Sequence, residues 1–117
     1  MKKISLLDEI SKIISRNILV IVEGKKDKEA LEKTGFNNVC VLSGKPLYKN
    51  IEEISKSNKE CVILTDFDKK GRHIYHALKK ELVRNGVKIN ENLRIALMRE
   101  KVSHVEGLAS YLGNRYE

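Results

Sequence analysis

The 117-residue chain reads as an α/β domain: a central, mainly parallel four-stranded sheet with helices on both faces. Three observations predict it. Two short runs, Ile18-Leu19-Val20-Ile21-Val22 and Cys61-Val62-Ile63-Leu64-Thr65, are β-branched and continuously apolar, as strands covered on both faces are. Segments of helical spacing alternate with strand-like runs, which is the pattern of a parallel sheet wrapped by helices. Both runs end in acid, Glu23-Gly24 after the first and Asp66-Phe67-Asp68 after the second. Parallel sheets bind ligands beyond the carboxyl ends of their strands. Three carboxylates converging there make a hard-oxygen site suited to Mg²⁺.

The elements come in order along the chain. Ile4, Leu6, Leu7, Ile10, Ile13 and Ile14 have helical spacing, so residues 1–16 carry a leading amphipathic helix over about 4–15. A strand at 18–22 precedes a helix over about 26–34, with Ala30 and Leu31 inward, ending near Gly35. A strand at 38–42 leads into the tight loop Ser43-Gly44-Lys45-Pro46 and a helix over 47–57. The strand at 60–65 precedes a helix over 70–85, whose Ile74, Ala77, Leu78 and Leu82 share a face and which stops at Asn85-Gly86. A fourth strand is expected at 92–98 and a short closing helix at 105–113. For the acids to meet, the strands at 18–22 and 60–65 must be neighbours. No repeat, linker or low-complexity tract interrupts the chain, so residues 1–117 read as one domain with its core at 17–113.

Composition narrows the class. No stretch approaches the ~20 apolar residues of a membrane span. The basic tip Met1-Lys2-Lys3 lacks a long apolar region, and Asp8 and Glu9 break the short one after it, so a cytoplasmic protein without a signal peptide is expected. Lys and Arg number 23 against 16 acids, a net charge of +7, which suggests a polyanionic partner. The bland reading of that charge is a solvated lysine-rich surface. Cys40 and Cys61 fall in predicted strands and read as packed, reduced thiols.

Each acid has a structural reading beside the functional one. Glu23 at a strand end is ordinarily solvated. Asp66 and Asp68, two apart on an extended segment, point the same way and can face one ion. Asp68 equally suits the N-cap of the next helix. Gly24 and Gly71 permit a turn or the close approach of a ligand, with helix amides near Gly71 aimed at a phosphate. Lys69, Lys70 and Arg72 sit where cations oppose a helix dipole, which strengthens a role against bound phosphate. Lys25, Lys26, Ser43, Gly44 and Lys45 border the same rim and read as phosphate-positioning candidates. His73, Tyr75 and His76 on the 70–85 helix, and His104 with Glu106 near the last one, are weaker candidates with packing, surface or capping alternatives. No Walker loop, Gly-x-Gly-x-x-Gly or Ser-His-Asp set occurs.

Val22-Glu23-Gly24-Lys25-Lys26-Asp27, a Ser-Gly loop, and Thr65-Asp66-Phe67-Asp68-Lys69-Lys70-Gly71-Arg72 together resemble the Toprim domain. That domain is shared by type IA and type II topoisomerases, bacterial-type primases, the maturase of the 5S ribosomal RNA precursor and some nucleases. The likeness spans residues 17–113, and the chain looks like the small stand-alone Toprim proteins of archaea. The resemblance implies a Rossmann-like fold and a Mg²⁺ site, with Mn²⁺ as a substitute. It makes Glu23 a general acid/base or metal-proximal acid, and Asp66 and Asp68 metal ligands. Asp27 matches the Glu-Gly-x-x-Asp form of the primase and the maturase, and is a secondary candidate. Lys70 stands where topoisomerases carry a third acid; the primase and maturase forms lack that acid too. Topoisomerases take their nucleophilic tyrosine from another domain, so water is the nucleophile the resemblance implies here.

Three functions remain open on the sequence. One is a metal-dependent phosphodiesterase, a nuclease-like RNA-processing protein, with RNA favoured over DNA. The second is a non-catalytic module on RNA or a ribonucleoprotein, or a small subunit whose protein partner supplies missing domains. The third is primase-like nucleotidyl transfer.

Overall fold

A computed structural model describes residues 5–102 and 107–108. Its elements run α1 (Leu6–Ser15), β1 (Leu19–Val22), α2 (Lys25–Lys33), β2 (Val39–Val41), α3 (Leu47–Ser57), β3 (Glu60–Ile63), α4 (Lys69–Arg84), β4 (Lys88–Ile89) and α5 (Asn92–Arg99). The four strands are all parallel and ordered β2-β1-β3-β4. Val20 pairs with Val39 on one side of β1 and with Val62 on the other. β1 and β3 are therefore neighbours, as the convergence of their terminal acids requires.

Alternation along the two central strands divides the core. Val20, Val22, Val62 and Leu64 face one layer, where they meet Leu6, Ile10 and Ile13 of α1, Leu31 of α2, and Leu93, Ala96 and Leu97 of α5. Leu19, Ile21, Cys61 and Ile63 face the other, against Ile51 and Ile54 of α3 and Tyr75, Leu78 and Leu82 of α4. Cover on both sides explains why these strands carry no polar alternation.

The helix ends obey local chemistry. Ser5 caps α1, its hydroxyl accepting from the Asp8 amide at 3.4 Å, and Asp8 and Glu9 complement the dipole in the first turn. Asp68 caps α4, and Asn85 closes its other end. Cys61 is buried and Cys40 half-buried, both as free thiols.

One expectation fails. Residues 92–98 are not a strand; they lie within α5, and the fourth strand is the two-residue β4 just before it. Leu93, Ala96 and Leu97 are buried at helical spacing while Ile95 and Met98 stay exposed. The segment Leu-Arg-Ile-Ala-Leu also alternates, so a short run fits both periods and the packing decides. β4 pairs Glu60 with Lys88 and Cys61 with Ile89 at the sheet edge. The expected helix at 105–113 lies outside the described residues except for Gly107 and Leu108, which are helical.

Candidate functional site

In the order β2-β1-β3-β4 the chain leaves β1 towards β2 on one side and resumes on the other side at β3. The carboxyl ends of β1 and β3 thus flank the switch point of the sheet, where open α/β sheets form a crevice. Glu23 comes directly after β1 and Asp66 lies just beyond β3. The Asp66 amide donates to Glu23 Oε2 at 3.0 Å, joining the two strand ends directly. Both residues are half-buried.

Asp68 is exposed, and its Oδ1 accepts from the Gly71 amide at 2.7 Å. This is the N-cap of α4, so one oxygen of Asp68 satisfies a helix amide that would otherwise lack a partner. Asp27 acts in a similar way at α2, where its Oδ2 accepts from the Gly24 amide at 3.1 Å and closes the first turn. With Oε2 of Glu23 and Oδ1 of Asp68 on backbone amides, their second oxygens remain for a cation. Among the described residues no three acids, histidines or cysteines come together as a ready cage. The donor set therefore fits a hard cation that binds through one or two carboxylates, keeps several waters and takes the rest of its shell from substrate phosphate, as Mg²⁺ does.

Gly71 is buried, and its neighbour explains it. A Cβ built there would lie 2.6 Å from the Asp66 carbonyl carbon, 2.9 Å from its Cα, and closer still to its carbonyl oxygen. The Thr65 hydroxyl donates to the Gly71 carbonyl at 2.7 Å. The first turn of α4 is thus pressed onto the acid loop, and the close approach that glycine permits here is by protein backbone. Gly24 behaves differently. Its backbone is extended (φ −135°), and a Cβ would meet nothing nearer than Asp27 Oδ2 at 3.9 Å. No contact within the described residues demands glycine at 24.

Around this centre lie the basic candidates. Lys25 and Lys26 open α2; Lys69, Lys70 and Arg72 occupy the first turn of α4; all five are exposed. The Ser43 amide donates to the Glu23 carbonyl at 3.1 Å, so the loop after β2 reaches the same rim. Gly44 has φ +90°, a left-handed turn that a side chain would strain. Lys45 points instead to Glu53, 2.5 Å away, and this ion pair raises the lysine's pKa and lowers the glutamate's. Buried Asn50 holds the loop from below, donating to the Leu42 carbonyl at 3.0 Å. His73 and His76 are exposed, whereas Tyr75 is buried. His104 and Glu106 lie outside the described residues.

Sequence reading missed Arg94. It projects from α5 to the underside of the acid loop and is only 6% exposed. Its Nη1 donates to the Thr65 carbonyl at 2.7 Å and to the Ile63 carbonyl at 3.4 Å; its Nη2 lies 3.5 Å from the Asp66 carbonyl. The guanidinium is sandwiched between the rings of Phe67 and Tyr75, 4.3 Å from each centroid. Burial lowers its pKa, and Tyr75, Asp66, Glu23 and Glu91 act in the opposite direction. Guanidinium charge is retained under such burial. Below it the Tyr75 hydroxyl bonds to Glu91, which also receives Lys79 at 2.6 Å. Burial first, then that hydrogen bond, raises the tyrosine's pKa. An arginine inside an apolar run gives no sign in sequence of two aromatic partners so far away along the chain.

The Toprim domain family model matches residues 18–99, a span that includes every one of these features from Glu23 to Arg94. The chain belongs to the Toprim domain family. Toprim domains in general bind metal through acidic residues and act on nucleic acid. A UPF0292 protein of Methanocaldococcus jannaschii is 34% identical over 119 residues, covering 97% of this chain and 92% of that protein. A UPF0292 protein of Methanosarcina barkeri is 32% identical over 112 residues, covering 92% of this chain and 78% of its own length. Both relatives are archaeal. A solved protein from Aquifex aeolicus has the same fold, with a TM-score of 0.78 at 32% identity over 86% of this chain and 93% of that one. No helix of the described residues is long and apolar enough to cross a membrane.

Proposed function

We propose that this Toprim protein carries out Mg²⁺-dependent phosphodiester hydrolysis on nucleic acid, with structured RNA in the cytoplasm as the substrate. The observation that supports it most is the bond from the Asp66 amide to Glu23 Oε2, which ties the acidic ends of β1 and β3 together at the switch point. Asp66 and Asp68 would hold the cation, with Glu23 beside them. When bound, Mg²⁺ supplies a Lewis acid that polarises the phosphoryl oxygen. Glu23 Oε1 is the atom that takes a proton from the attacking water or returns one to the leaving oxygen. Lys25, Lys26, Lys69, Lys70 and Arg72 bind the flanking phosphates and set the strand's register. Gly71 and Arg94 shape the acid loop from within. The missing side chain at Gly24 lets a strand approach the backbone beside Glu23. RNA is favoured because Asp27 completes the Glu-Gly-x-x-Asp form, although that carboxylate also closes a helix turn.

A second reading, a nucleic-acid-binding module without catalysis that serves a larger assembly, draws on one observation. Asp68 is already employed as a helix cap, with Oδ1 on the Gly71 amide. Cleavage of pooled RNA and DNA by wild type, Asp66→Asn and Asp68→Asn separates the two. Asparagine caps helices as well as aspartate does, so Asp68→Asn should stay folded. The hydrolase reading expects Mg²⁺-dependent cleavage by wild type and at least a hundredfold loss in each variant, on the scale of about 10²–10³ for one electrostatic group. Cleavage undiminished in both variants would overturn it. Salt-sensitive binding without cleavage by any of the three would establish the module instead.

A further inference from the structure

A groove runs beside the acid loop, between the start of α4 and the outer face of α5. It joins a hollow of about 270 Å³, walled by Phe67, Arg72, Ile95 and Met98 with exposed His76 and half-buried Glu91 at its edge and buried Tyr75 and Arg94 beneath, to one of about 420 Å³ lined by Phe67, Arg72, Met98, Lys101 and Val102. The two share Phe67, Arg72 and Met98; the larger lies within the range of small-molecule sites, ~300–1,000 Å³, and the smaller just below it. Met98 is 61% exposed and Ile95 39% exposed, apolar surface left in solvent on a helix whose other face is fully packed. Apolar walls with a few convergent polar groups mark a ligand site rather than plain surface.

Phe67 fixes where such a ligand sits, because it is the residue between Asp66 and Asp68. Arg94 covers the ring at 4.3 Å and is itself held by backbone carbonyls, so the ring is a rigid platform. The cations at the rim, Arg72 and Lys101, favour an anionic ligand. Glu91 is the acid of the groove, and it is committed to Tyr75 and Lys79. An aromatic ring, a polarisable thioether and rim cations suit a flat base joined to phosphate.

We propose that the groove between Phe67 and Met98 receives one unpaired nucleobase of the bound strand, next to the phosphate held at the acid rim. This rests on the nucleic-acid reading above and adds to it a preference for unpaired nucleotides. The probe is adenosine 5′-monophosphate, titrated into protein labelled at methionine and isoleucine methyl groups, with ribose 5-phosphate as the base-free control and EDTA present throughout. The methyl signals of Met98 and Ile95 should move with the nucleotide. Its affinity should exceed that of ribose 5-phosphate by at least about fivefold, the lower end of base–aromatic stacking. Met98→Ala and Ile95→Ala, at exposed positions outside the Arg94 clamp, should each reduce that advantage and leave ribose 5-phosphate unchanged. Equal affinities, shifts confined to other methyl groups, or no response to the nucleotide would overturn the proposal; the last would leave the groove to a protein segment. EDTA removes divalent ions, so this result stands apart from the metal site: failure of metal-dependent cleavage does not alter it.

Discussion

Replacing Gly71 by alanine sets two physical effects against each other. Gly71 occupies the first turn of α4, and alanine is the better helix former by about 1 kcal/mol, so propensity alone predicts stabilisation. Sterics predict the reverse. The new Cβ would lie 2.6 Å from the Asp66 carbonyl carbon and 2.9 Å from its Cα. Those atoms are backbone and cannot rotate aside, so the loop and the helix must separate. Overpacking of this kind costs about 1–3 kcal/mol. Separation also strains the 2.7 Å bond from the Thr65 hydroxyl and the 2.7 Å bond to the Asp68 carboxylate, together about 2–4 kcal/mol if both are lost. The net expectation is destabilisation by about 2–6 kcal/mol, a large share of the roughly 5–15 kcal/mol typical of a domain. Urea unfolding reads it as a lower midpoint at unchanged slope. A variant as stable as wild type would show that Gly71 is not clamped against Asp66, and that something else holds the acid loop.

Gly24→Ala should leave the unfolding free energy within about 0.5 kcal/mol of wild type, since a Cβ there makes only an ordinary contact with Asp27 Oδ2 at 3.9 Å, while weakening binding to single-stranded RNA; loss of stability would show an internal reason for that glycine. Arg94→Lys keeps the charge but loses the planar fork and the double aromatic stack, and should destabilise by about 2 kcal/mol in the same assay; an unmoved midpoint would reduce the guanidinium clamp to a bystander. The Cys61 thiol is pushed up to about 12 by burial, so native protein at pH 8 should resist iodoacetamide at Cys61 until unfolded, and rapid native labelling would contradict its burial. The same shift sets a sign: between pH 9 and 12 the unfolded state has lost a proton that the native state keeps, so stability should fall as pH rises through that window, and a rise would contradict it.

Much of this architecture is legible in sequence because burial on both faces writes a continuous apolar run. β1 and β3 are such runs, and their terminal acids require them to be adjacent, as they are. The stretch at 92–98 is misread because Leu93, Ile95 and Leu97 satisfy a strand while Leu93, Ala96 and Leu97 satisfy a helix; the contact of α5 with α1 and β3 settles it. β4 leaves only two paired residues at the edge, too few to register as a pattern. Within the site, the acids and the capping alternative for Asp68 are visible from spacing alone. Arg94 is not, because its meaning lies in Phe67 and Tyr75 folding around it. Gly71 looks like other loop glycines until the backbone of Asp66 is seen to press against it.

The proposed chemistry depends above all on Glu23, Asp66 and Asp68 forming a divalent-cation site at the switch point of the sheet. A Mg²⁺ titration, with Mn²⁺ as the paramagnetic substitute, addresses this in wild type and in the Asp66→Asn/Asp68→Asn double variant, each read residue by residue by NMR. A cation site at these acids predicts saturable changes centred on Glu23 and residues 65–68 in wild type, absent from a folded double variant. No response at millimolar metal, or an identical response in both proteins, would contradict it and leave the acids as turn and cap residues.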